Sequence, residues 1–118
     1  MSINPSKARK KPVEIEVMQY RPGQYTKGEW LEWIGKKANI GVVVDINGDD
    51  PEGMDEVDFK WFTVDTLEGH MNVEPMAWVA KGVEGEFYPI KDSIFGKTYI
   101  LTEVEGVSVI SFDPQVVP

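Results

Sequence analysis

The chain has 118 residues, the usual size of one domain, with 42% hydrophobic and 27% charged residues. It contains no cysteine, which excludes disulfides, thiolate zinc sites and cysteine nucleophiles. The formal charge is -8, yet Lys7, Arg9, Lys10 and Lys11 stand among the first eleven residues without one acid, so the remainder is strongly acidic and would repel a long nucleic acid.

The leader, residues 1–11, reads as a flexible basic arm without the apolar core of a signal peptide. "PVEIEVMQY" (12–20) alternates. Val13, Ile15 and Val17 fall on one side, with Glu14, Glu16 and Met18 on the other, which predicts a half-buried strand. "RPG" is a turn. "TKGEWLEWIGKKA" (26–38) predicts a short helix, because Thr26 and Glu29 have capping-box spacing and Trp30, Leu31, Trp33 and Ile34 form an apolar stripe.

"NIGVVVDI" (39–46) predicts a second strand, followed by an acidic loop over 47–58. Asp45, Asn47, Asp49 and Glu56 fall at calcium-loop positions, but Asp50 occupies the place that needs glycine, and the flanks are not helical. A solvated loop is the plainer reading. Residues 59–74 predict a hairpin turning at Leu67-Glu68-Gly69. Residues 77–82 and 85–90 predict another, with Pro89 on an edge or at a strand end. Asp92 has the chemistry to cap a helical turn through Phe95, ended by Gly96. "KTYILTEV" reads as a strand, "EGVSVISF" as one more, and "DPQVVP" as a tail. The expected class is α+β: a small curled antiparallel sheet or partial barrel packed on one short helix. The expected organisation is a leader over 1–11, one domain over 12–102, and an extension over 103–118.

Catalytic chemistry has little to stand on. His70 is the sole histidine and no serine lies in a nucleophile-elbow sequence. Neither enzyme activity nor a cofactor or metal is expected. No apolar run approaches the ~20 residues that span a bilayer, and a cytoplasmic protein is expected. The stretch from Trp78 to Tyr99 is the most distinctive. Five aromatics are interleaved with Lys81, Lys91 and Lys97 and with three glycines. It has two readings: a core hairpin rich in rings, or a pocket that stacks flat bases and neutralises phosphates.

"KGVEGEFYPIKDSIFGKTY" resembles the signature of a family of small phage and prophage proteins. Members read Lys-Gly-Val-x-Gly-Glu-Phe-Tyr-Pro-Cys-Lys-x-x-Ile-Phe-x-x-Thr-Tyr after a Pro-Gly-Asp-Trp. "RKKPVEIEVMQY" and "TLEGHMNV" resemble the same family in the same order, so the likeness runs from residue 9 to 99. Met76-Ala77 replaces Gly-Asp, Ile90 replaces the cysteine, and the chain continues past Tyr99 to Pro118. The architecture is similar to that of anti-CBASS sponges, which bind cyclic oligonucleotide alarm signals of bacterial defence without cleaving them. The resemblance implies a homo-oligomer, dimer or tetramer, acting in an infected bacterial cell. It also implies a ligand site in which Lys81, Lys91 and Lys97 face phosphates while Trp78, Tyr88 and Tyr99 stack bases. Gln19 and Glu68 would read base edges, with Lys10 and Lys11 reaching over the ligand. The alternative is an accessory module that binds a host or virion protein.

Overall fold

The computed structural model describes residues 3–9, 11–45 and 47–102, with the backbone alone for 108–112. The elements are β1 (Val13–Gln19), α1 (Lys27–Ile34), β2 (Ala38–Gly41), β3 (Trp61–Thr66), β4 (Gly69–Asn72), β5 (Trp78–Lys81), β6 (Phe87–Ile90), α2 (Asp92–Thr98), β7 (Ile100–Leu101) and β8 (Ser108–Phe112). The fold is α+β and mostly sheet. One antiparallel sheet has the order β6-β5-β1-β8-β7 and a second the order β2-β3-β4, with no closed barrel among the described residues.

Strand β1 is central, between β5 and β8. Alternation predicts one buried face, but both are covered. Ile15 and Val17 pack with Phe95 of α2, while Met18 and Tyr20 join the core built on α1 and the second sheet. Glu16 points toward α1 and is matched there: its carboxylate accepts from Trp33 Nε1 at 2.8 Å. A half-buried acceptor so satisfied costs far less than an orphaned one. Strand β8 comes from the C-terminal extension and pairs within the chain, in the interior of the sheet.

Helix α1 starts where the capping-box spacing places it. Glu29 N–H donates to Thr26 Oγ1 and Thr26 N–H donates to Glu29 Oε1, both at 3.0 Å. Two further N–H groups of its first turn are satisfied by the acidic loop. Lys27 N–H donates to Glu56 O and Gly28 N–H to Met54 O, each at 2.8 Å. The loop is therefore the docking piece for a helix start, where its negative charge is favoured. Its Asp50 carboxylate is occupied by the N–H groups of Met54 and Asp55. Among the described residues no group of three acidic, His or Cys side chains could hold a metal ion. Trp30 is fully buried, with Tyr20, Tyr25 and Phe62 edge-on around it.

Two elements depart from expectation. Strand β2 stops at Gly41, short of the expected end, because Gly41 pairs with Trp61, where its partner β3 begins, and Ile46 lies outside the described residues; the Trp61 indole packs so closely on Gly41 that a Cβ there would come within 2.2 Å of the ring. Helix α2 runs through Gly96 to Thr98, and this shortens the following strand to Ile100–Leu101. Packing overrides the glycine here, since Phe95 is buried between Trp78 and Tyr99 and fixes both ends of the helix.

The link into β5 carries backbone strain. Ala77 N–H closes a turn onto Glu74 O at 3.0 Å, and Met76 within it has φ 74°. Met76 N–H donates to Tyr20 O at 2.6 Å, which holds the turn against the end of β1. A side chain in that region costs about 1–2 kcal/mol, partly offset by the extra freedom glycine gives the unfolded chain. Met76→Gly is therefore expected to stabilise the protein by about 0.5–1 kcal/mol. Urea unfolding with an unchanged m-value is the measurement; equal or lower stability would mean that the methionine side chain makes up the strain by packing.

Candidate functional site

The stretch from Trp78 to Tyr99 folds as β5, β6 and α2, and its rings do two different jobs. Trp78, Phe95 and Tyr99 stack in sequence. Trp78 and Phe95 are 4.0 Å apart between centroids and 9° from parallel, and Phe95 and Tyr99 are 5.2 Å apart and 14° from parallel. Phe87 points the other way, edge-on to Trp33 at 5.2 Å. The alternation of β6 explains the split, since Phe87 enters the α1 core while Tyr88 and Ile90 face α2.

Polar groups lock the stack. Asp92 opens α2, but Lys91 is the cap residue, and the Asp92 carboxylate does not bond the helix start. It turns to the sheet and accepts from Trp78 Nε1 at 2.9 Å and from Gln19 Nε2 at 3.4 Å. Gln19 also donates to Met76 O at 3.0 Å and accepts from Arg21 Nε at 2.7 Å. With 8% of its surface exposed, Gln19 has its amide fully committed inside the protein. Trp78 is likewise engaged on a ring face and at its N–H.

A groove of about 650 Å³ opens beside this stack, between β4, β6 and α2. Tyr88, Ile90, Ile94 and Tyr99 give it an apolar floor, with Lys91, Asn72, Glu74 and Thr98 at the polar margin. The volume is in the range of small-molecule sites. Tyr88 and Tyr99 are hydrogen-bonded to each other. Burial raises the Tyr88 phenol well above the usual tyrosine value, and the adjacent Tyr99, the bond to it and Glu86 add to the rise. Tyr20 shifts upward too, through burial and the charge of Asp58. On its other side Tyr88 borders a cavity of about 400 Å³ that it shares with Tyr99, Lys11 and Glu86.

The structure brings together Tyr88, Tyr99 and Lys91, with Lys11 across the tyrosine pair. It does not gather the three lysines. Lys81 lies on the α1 side, where its Nζ and that of Lys37 each stand 5.9 Å from the centre of the Phe87 ring. Lys97 is exposed in the last turn of α2. Glu68 sits at the β3–β4 hairpin tip and lines a separate cleft of about 310 Å³. Lys10 lies outside the described residues. Sequence reasoning passes over Asp92 as the partner of Trp78, and Ile94 as floor of the groove. The i, i+4 spacing of Phe95 and Tyr99 was the available signal that both rings share one helix face. Comparison with protein-family models, curated proteins and solved structures finds no match for this chain.

The tyrosine pair has a pH signature. A phenol whose folded pKa is raised gives stability that is whole below the unfolded value of 10.0 and is lost as pH rises beyond it. Unfolding free energy should therefore fall from pH ~10 upward, and Tyr88→Phe should remove part of that fall. Ultraviolet titration should show the four tyrosines ionising in at least two steps. A single step near 10 would contradict the burial of Tyr88.

Proposed function

We propose that this protein binds a cyclic oligonucleotide in the groove beside Tyr88 and Tyr99 and sequesters it without cleavage, as the resemblance to phage anti-defence sponges implies. The observation that carries this reading is the pairing of an apolar, ring-lined groove with a single free ammonium at its margin. Tyr88 and Tyr99 offer phenol edges and faces to a base, and Lys91, exposed and without an acid beside it in any ion pair among the described residues, is available to a phosphate. Sequestration needs affinity alone, so the site requires no nucleophile or proton relay. The ligand would be a partner of small size, in keeping with an acidic body that repels long nucleic acids. Lys91 is the phosphate contact of this reading, and Lys81, on the opposite side of the sheet, is a stabilising neighbour of Phe87.

A second reading, an interaction module for a host or virion protein, is favoured by a different observation: β4 and β6 are both outermost strands of their sheets and both border the groove. Such edges can accept an added strand.

A thermal-shift panel of cyclic dinucleotides and trinucleotides separates the two. Ligand at about a hundred times Kd should add roughly 2.7 kcal/mol of stability, and the ligand should be recovered intact after denaturation. Lys91→Ala should leave the unliganded melting temperature nearly unchanged, within about 0.5 kcal/mol, and weaken binding about tenfold to a hundredfold. Lys81→Ala should weaken it far less. No shift with any cyclic nucleotide would eliminate the sponge reading and leave the interaction module; a linear product would point to an enzyme.

A further inference from the structure

A second groove, of about 510 Å³, opens between α1, β2 and the acidic loop, and it shares no residue with the one beside Tyr88 and Tyr99. Leu31, Val42, Val44, Met54 and Trp61 give it apolar walls. None of the five is fully buried, and Trp61 leaves 57% of its surface open. Large apolar side chains left open together mark a contact site, whereas a single one does not. The walls are in place before anything arrives. The Trp61 ring rests on Gly41, and Gly53, with φ 68°, lets the loop close on Val42 and Val44, whose methyl carbons a Cβ there would meet at 2.4 and 2.5 Å. A preformed recess loses little freedom on binding.

The ribbon of chain beside this groove carries one sign of charge. Residues 45–58 hold seven carboxylates and no lysine or arginine, and Glu52 of that run lines the groove. Asp50 spends its carboxylate on the loop backbone. Asp49, Glu52, Asp55 and Glu56 are exposed, and among the described residues none of the loop's acids is in an ion pair. Lys27, on the groove wall, donates to the Glu52 carbonyl at 3.1 Å and does not neutralise its carboxylate. An excess of this kind repels anions and is relieved by cations that arrive with a ligand. The open indole of Trp61 favours a cation as well. A small cation would use the carboxylates and leave the apolar walls wet. A basic amphipathic peptide uses both.

We propose that this groove binds a basic amphipathic segment of another protein, with its apolar side chains seated between Leu31 and Trp61 and its lysines or arginines against the acidic loop. The inference depends neither on a nucleotide ligand nor on the edges of β4 and β6.

Fluorescence anisotropy of a labelled synthetic peptide, leucine and lysine in amphipathic order, tests it with the full chain. The peptide should bind at low salt and about tenfold or more weakly at high salt. A lysine-only peptide of equal charge should bind about tenfold less well or worse, because it leaves the apolar walls unfilled. A leucine–glutamate peptide should not bind. Trp61→Ala and, separately, Glu52→Lys should each weaken binding about tenfold, with a cooperative unfolding transition as proof of folding. Glu84→Lys makes the same change of charge on the turn between β5 and β6 and should leave the affinity as it is. A full chain that does not bind the leucine–lysine peptide would overturn the proposal, and so would equal binding of the lysine-only peptide. A Glu84→Lys chain that loses as much affinity as Glu52→Lys would overturn it by leaving net charge as the sole attraction. Binding that appears only after Lys7→Glu/Arg9→Glu would do so by making the chain's own leader the occupant.

Discussion

Strand β1 is the constraint on which this fold depends, because it is covered on both faces and paired on both edges. Its odd positions Ile15 and Val17 face α2, while Met18 and Tyr20 face α1 and the second sheet. A one-residue slip would drive each set into the other's space and bring Glu16 out of reach of Trp33. The pairing with β5, Glu16 opposite Lys81 through Gln19 opposite Trp78, is thereby fixed. That register places Trp78 next to Gln19, and both beside Asp92. The polar lock on α2 is thus a consequence of apolar alternation at the start of the chain.

From that lock follows the groove. Asp92 ties the first turn of α2 to the sheet, and Phe95 fills the space between two rings. The helix is seven residues long, too short to be stable by itself. Its stability comes from the buried ring and from two hydrogen bonds reaching across the sheet. The wall of the groove is therefore an element set by tertiary packing, and the spacing of Lys91, Ile94 and Thr98 along it is only as rigid as the Trp78–Phe95–Tyr99 stack.

The acidic loop shows the same economy in another place. Its carboxylates suggest ion binding when taken as a string, but its backbone carbonyls complete the first turn of α1, and Asp50 folds the loop on itself. The strained Met76 belongs with it as a piece of connection geometry. Its φ of 74° is a conformation that glycine takes freely and a side chain does not.

The sequence by itself determined the local events. Thr26 and Glu29 marked the start of α1, alternation marked β1, and Pro89 limited β6 to an edge or a strand end, because each depends on chemistry within a few residues. It also marked Tyr88, Tyr99 and Lys91 as residues of interest without being able to say that these three meet. Only the tertiary structure decided that Lys81 faces α1 and that Gln19 is consumed inside the protein, because the side a strand residue faces depends on what covers each face of the sheet. It alone decided that helix α2 outlasts Gly96, since burial of Phe95 outweighs a glycine's propensity. The division of the strands into two sheets was decided there as well. Antiparallel pairing between segments as distant as β1 and β8 is a long-range choice, and no local spacing encodes it.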